Sequence, residues 1–155
     1  MENIANASIS LAPIGLSAFA TAMTMGRIFG DSLRNRFGDR ALIIGGGLMA
    51  LVGLSAALIF PSPYVTIAGF FLVGLGLSSI VPIAYSIAGN DKNLPPGVGL
   101  AMVTTVGYTG FLVGPPLIGF IADWQDLRFS LALIALLILL MTVLGYRYNP
   151  TSAIR

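Results

Sequence analysis

The 155-residue chain contains no cysteine and no histidine. The first absence removes disulfide scaffolds and thiol nucleophiles. The second removes the usual neutral-pH proton shuttle, and together they remove most transition-metal sites. Charge is nearly as scarce: 9% of residues are charged and 56% are hydrophobic, with a mean hydropathy of +0.91. Ordinary soluble domains carry about 25% charged residues. A chain this poor in charge cannot cover its own surface in water, so the lipid bilayer is its natural solvent. No phosphate-binding loop and no Ser-His-Asp set is found, so no enzyme activity, cofactor or metal is expected. The net charge of +2 does not point to nucleic acid either, because the eight basic residues are scattered and make no continuous basic face. The start, MENIANASIS, has no basic region, and the apolar run after it lacks a small-residue cleavage site, so it does not read as a secretory signal peptide.

Long apolar runs are what the chain does have. A membrane-crossing helix needs about 20 mostly apolar residues. Five such spans are expected, at about 9–29, 41–60, 64–89, 97–122 and 127–148, forming a single transmembrane domain over 1–155. Inside hydrocarbon each backbone hydrogen bond must close within its own segment, so the fold class is all-α, a polytopic membrane protein. Breakers fall at the joints: Pro61 and Pro63, Pro95 and Pro96, and Asp123 through Asp126. Alternating spans put Arg27, Arg34, Arg36, Arg40, Lys92, Arg147 and Arg155 on one side and only Arg128 on the other. The positive-inside rule then predicts a multi-pass protein of the cell (inner) membrane, its N-terminus outside with Glu2 and its C-terminus cytoplasmic. Tyr64 and Trp124 would lie at the outer interface, Tyr146 and Tyr148 at the inner one.

The stretch GRIFGDSLRNRFGDR, Gly26 to Arg40, holds four arginines and two aspartates, and reads as a charged cytoplasmic loop after the first span. Arg27 would lie one turn inside and snorkel to the interface, and Asp31, four residues on, is placed for an ion pair with it. Gly38 permits a tight turn before the second span. In GFLVGPPLIGFIAD, Gly110 and Gly114 form a small-x-x-x-small face that lets another helix approach, while Pro115 and Pro116 remove backbone donors and bend the helix. Gly45, Gly46, Gly47, Gly74 and Gly76 are expected to serve packing. No Asp, Glu, Lys or His lies deep in any expected span.

These two stretches carry a resemblance. The charged loop resembles the cytoplasmic signature G-x-x-x-D/N-R/K-x-G-R/K-R/K of the major facilitator superfamily: Asn35, Arg36, Gly38 and Arg40 match, Asp31 stands where the first glycine would be, and Asp39 replaces a basic residue. The second stretch resembles the family's G-x-x-x-G-P-x-x-x-G pattern through Gly110, Gly114, Pro115 and Gly119. The order of elements is similar to helices eight to twelve of such carriers, part of the C-terminal six-helix bundle, and MGRIFGD and GLGLSSIVPIAYSIAG look like the bacterial sugar-permease branch. The resemblance implies a fragment of a permease whose missing N-terminal half, or another helix bundle, is its partner alongside the bilayer. It implies that the signature loop, including Arg27 and Asp31, braces the two halves, whereas the charges by themselves read as a solvated anchor that sets topology and has no switching role. It also implies that the third and fourth spans line a solute cavity, with Ser78, Ser79, Pro82, Tyr85, Thr105 and Tyr108 as candidate wall residues for a sugar or polyol. Two alternatives stay open: such hydroxyls often bond the carbonyl four residues back, and the chain could be a non-transporting scaffold that binds other membrane helices.

Overall fold

A computed structural model of the chain describes residues 11–60, 62–95, 97–125 and 127–147, and every regular element among them is an α-helix. They are α1 (Leu11–Ile59), α2 (Pro63–Leu77), α3 (Ile80–Gly89), α4 (Val98–Trp124) and α5 (Leu127–Arg147). Glu2, Pro61, Pro96, Asp126, Tyr148 and Arg155, which the sequence reading used, lie outside the described residues.

Four helical stretches, not five, are long and apolar enough to cross a membrane: Pro13–Ile59, Pro63–Gly89, Val98–Trp124 and Arg128–Arg147. The first holds both of the first two expected spans, because the charged stretch between them is helical rather than a loop. Only Gly38 leaves helical geometry, at φ 79° and ψ 165°, a backbone region open essentially to glycine alone. The chain reverses there. Before Gly38, Gly15, Gly74's neighbour Ala22 and Gly26 meet successive positions Phe70, Gly74 and Ser78, so this limb runs parallel to α2. After it, Gly46 meets Gly76 and Gly53 meets Gly69, so the second limb runs antiparallel to α2. A helix of 47 residues would be about 70 Å long, more than twice the hydrocarbon thickness, so a reversal is what a bilayer demands.

α2 lies against both limbs of α1, and the contact is built on missing side chains. A Cβ on Gly46 or Gly76 would strike the other's carbonyl oxygen, and Gly53 and Gly69 repeat the arrangement. Backbones that approach this closely gain dispersion contacts, the main attraction between helices in lipid. Ala50, Leu54, Val73 and Ile138 form the buried apolar cluster beside them, bringing in α5. Thr142 of α5 rests on Gly47 and donates to the Ile138 carbonyl at 2.7 Å. Of the glycines expected to pack, Gly45 is the exception, with nothing near it.

The expected third span is also divided, into α2 and α3, at Ser78 and Ser79. Pro82 explains the break. It has no N–H to give the Ser78 carbonyl, and its ring crowds that carbonyl, so it is tolerated only in the first turn of a new helix. α4 packs differently from the rest. Apart from Gly99, which lies against Ala88 of α3, it buries no residue, and both Pro115 and Pro116 sit inside its helical run.

Candidate solute-facing site

Because the stretch from Gly26 to Phe37 is helical, its spacing matters. Arg27, Gly30, Asp31 and Arg34 recur every three or four residues and share one face of the first α1 limb. That face meets the α2–α3 break. Ser78 packs on Gly26, and the Ser79 Oγ comes within 3.0 Å of where a Gly30 Cβ would stand. Together Arg27, Gly30, Asp31, Arg34, Ser78, Ser79, Pro82 and Ile83 enclose a cavity of about 20 Å³. A space of about 10–15 Å³ holds one water-sized group, so this one admits a single small polar head.

The donors around it are unequally committed. Ser78 is 2% exposed and its hydroxyl donates to the Leu75 carbonyl at 2.7 Å. Arg34 spans the reversal: its Nε donates to Asp39 Oδ1 at 2.5 Å, and its Nη2 donates to Asp39 Oδ2 at 3.0 Å and to Ser86 Oγ of α3 at 2.8 Å. Arg27 donates only to the thioether of Met23, at 3.6 Å. The expected Arg27–Asp31 ion pair is not formed; the ion pair among the described residues is Arg34–Asp39. The Arg27 side chain turns back to Met23 instead, while the reversal brings Asp39 beside Arg34. The Ser79 hydroxyl makes no hydrogen bond among the described residues.

Arg27 stands about three helical turns before Gly38, roughly 16 Å along the axis. An arginine at the centre of a bilayer costs about 2.5–3.5 kcal/mol on insertion scales, and such residues face protein or water rather than lipid. α5 is the opposite case, with Leu136, Leu137, Leu140, Val143 and Leu144 all exposed and no charge between them.

The wall residues suggested by the sequence separate into two groups. Ser78, Ser79 and Pro82 come together at the cavity. Tyr85 instead reaches α4, where its hydroxyl accepts a hydrogen bond from Thr104 at 3.3 Å. Thr105 donates to the Ala101 carbonyl at 2.8 Å, and Tyr108 is 71% exposed on the open side of α4. The signature residues collect at the reversal. Asn35 and Arg36 are exposed, Arg36 lies 5.6 Å from the Phe37 ring centre, and Arg40 ties the reversal to α5, donating to the Tyr146 carbonyl at 2.7 Å. The Arg40 guanidinium also lies 5.0 Å from the Tyr146 ring centre. Gly110, Gly114 and Gly119 have nothing within 4 Å, so the expected close-approach face of α4, with Pro115 inside it, is open. Arg34, Ser86 and Thr104 were not singled out as site residues by the sequence. The 27–30–31–34 periodicity would have found Arg34 had the stretch been read as a helix.

The pattern of the Major Facilitator Superfamily matches residues 1–154. The chain belongs to the major facilitator superfamily. It is 42% identical to an uncharacterized MFS-type transporter of Yersinia pestis over 132 residues, 85% of this chain and 34% of that protein. It is 46% identical to the membrane protein MosC of Rhizobium meliloti over 110 residues, 71% of this chain and 27% of the other. An uncharacterized transporter of Sinorhizobium fredii is 29% identical over 94% of this chain, covering 38% of its own length. This superfamily chain thus spans about a third of the curated relatives it matches. No solved structure matches it. Family and apolar helices together make it a multi-pass membrane protein of a transporter family, not an enzyme.

Proposed function

We propose that these helices form the C-terminal part of a secondary transporter that, when complete, moves a small solute by alternating access, and that they do not transport alone. The open glycine face of α4 carries this reading. A helix with Gly110, Gly114 and Gly119 open offers the small-residue face on which another membrane helix can approach closely, which suits one half of an interface. The length of the relatives supplies room for the other half. The signature residues gathered at the reversal, Asn35, Arg36, Gly38 and Arg40, would brace the two halves, with the Gly38 end of the bundle on the cytoplasmic side of the inner membrane and the N-terminus outside. Hydroxyls at Ser79 and Tyr85 and the ring of Tyr108 suit a polyhydroxylated solute, such as a sugar or its derivative.

Uptake by the purified 155-residue protein in liposomes tests the reading. No saturable uptake of any solute is expected, and saturable uptake would overturn the need for a second half. The open α4 face equally suits a scaffold that binds another membrane protein. Photocross-linking from position 110 in native membranes separates the two: a carrier half is expected as the adduct, and an unrelated membrane protein would favour the scaffold.

A further inference from the structure

We infer that the cavity between the first α1 limb and the α2–α3 break binds the anionic head of the solute, a carboxylate on a small polyhydroxylated acid, with Arg27 as its charge partner and the Ser79 hydroxyl as its second donor. The inference rests on the transport reading and adds a substrate class to it. Arg34 is already held by Asp39 and Ser86, and the Ser78 hydroxyl already donates to the Leu75 carbonyl. That leaves Arg27 and Ser79 as the donors with capacity, both lining the same small cavity. The cavity's volume of about 20 Å³ fits a head group and not a sugar ring, so the remainder of the solute must lie outside it, on the open side of the face. A guanidinium recognises a carboxylate through paired N–H donors, and such a charge-assisted contact is stronger where water is scarce.

Asp31 sits on the rim of the same cavity without an ion pair. With no solute present it is the carboxylate available to balance Arg27 within the membrane. A solute carboxylate competes with it for the same cation, so removing the Asp31 charge strengthens anion binding rather than abolishing it. This separates a binding role for Arg27 from a purely topological one, in which the Asp31 charge has no effect on anions.

The absence of cysteine makes the test direct. In I83C protein, held in phosphatidylcholine nanodiscs, the new thiol is unique and lines the cavity without replacing either proposed donor. Its labelling is compared between sulfonatoethyl methanethiosulfonate and the trimethylammonioethyl reagent of similar size. We expect the anionic reagent to react roughly tenfold faster, a preference lost in I83C with R27Q, kept with R27K and increased with D31N. At matched ionic strength, D-gluconate slows labelling and D-glucose does not. Equal or reversed charge preference overturns the inference, as does protection by neither solute. Protection by glucose as strong as by gluconate overturns the anionic head while leaving the carrier reading intact, since a solute then occupies the cavity. If R27Q does not fold, the preference and the gluconate protection of the Arg27 protein decide alone.

Discussion

Arg34 and Asp39 face each other across Gly38, joined by two hydrogen bonds of 2.5 and 3.0 Å. The same guanidinium reaches Ser86 on α3, so one side chain closes the reversal and ties it to the next pair of helices. A bidentate pair that is partly shielded, with side-chain exposures of 31% and 21%, is worth more than an open surface pair.

Asp39→Ala is therefore expected to destabilise the bundle by about 1–2 kcal/mol, since it leaves Arg34 with the weaker Ser86 contact. Asp39→Asn keeps an acceptor and is expected to lose about half of that. Thermal unfolding in detergent gives the stability. Trypsin cleavage at Arg36 gives the local opening, and faster cleavage in Asp39→Ala with an unchanged rate at Arg128 is the expected pattern.

Gly38→Ala tests the backbone alone. No atom lies within 4 Å of the position a Cβ would take, so any loss comes from φ 79°, ψ 165° and not from a clash. Such conformations cost a non-glycine residue about 1–3 kcal/mol. Alanine, serine and leucine are expected to lower stability by similar amounts, measured by the same unfolding. A loss that grew with side-chain size would show that the position is crowded.

The glycine at this reversal was legible in the sequence, because a positive-φ residue has few candidates. The helicity around it was not. Six charges in Gly26–Arg40 look like a solvated loop, and only the facing of Arg27, Gly30 and Arg34 toward α2 and α3 gives them a reason to be helical. The hydrophobic runs revealed the membrane class and the all-α fold, and two short motifs revealed the family. Composition could not reveal the α2–α3 break, since Ser78 and Ser79 are unremarkable in a polar-tolerant helix. Pro82 held the signal, and its missing N–H points four residues back to Ser78. Which wall residues meet was beyond reach, because it depends on that break.

Tyr85→Phe removes the 3.3 Å hydrogen bond with Thr104 that links α3 to α4. Hydrogen bonds between membrane helices average about 0.6 kcal/mol, so the stability change is expected to be small. In the complete carrier the same change is expected to raise KM several-fold with kcat nearly constant, if the hydroxyl serves the solute. Uptake kinetics that move in kcat alone would place Tyr85 in the conformational step instead.

Gly46 and Gly110 are both helical glycines, yet alanine should have opposite effects at the two. At Gly46 the new methyl group meets the Gly76 backbone, which cannot move aside without separating the second α1 limb from α2. Overpacking of this kind costs about 1–3 kcal/mol. At Gly110 nothing lies within 4 Å, so alanine meets no atom and adds helix propensity, a gain of at most about 1 kcal/mol. Unfolding of the 155-residue protein should show Gly46→Ala less stable and Gly110→Ala unchanged or slightly more stable. Under the proposed reading, a second half covers the α4 face in the complete carrier, and the order is then expected to change. There Gly110→Leu is expected to abolish uptake while the isolated helices still tolerate it. Full uptake by that variant would mean that no helix approaches α4 closely at this position.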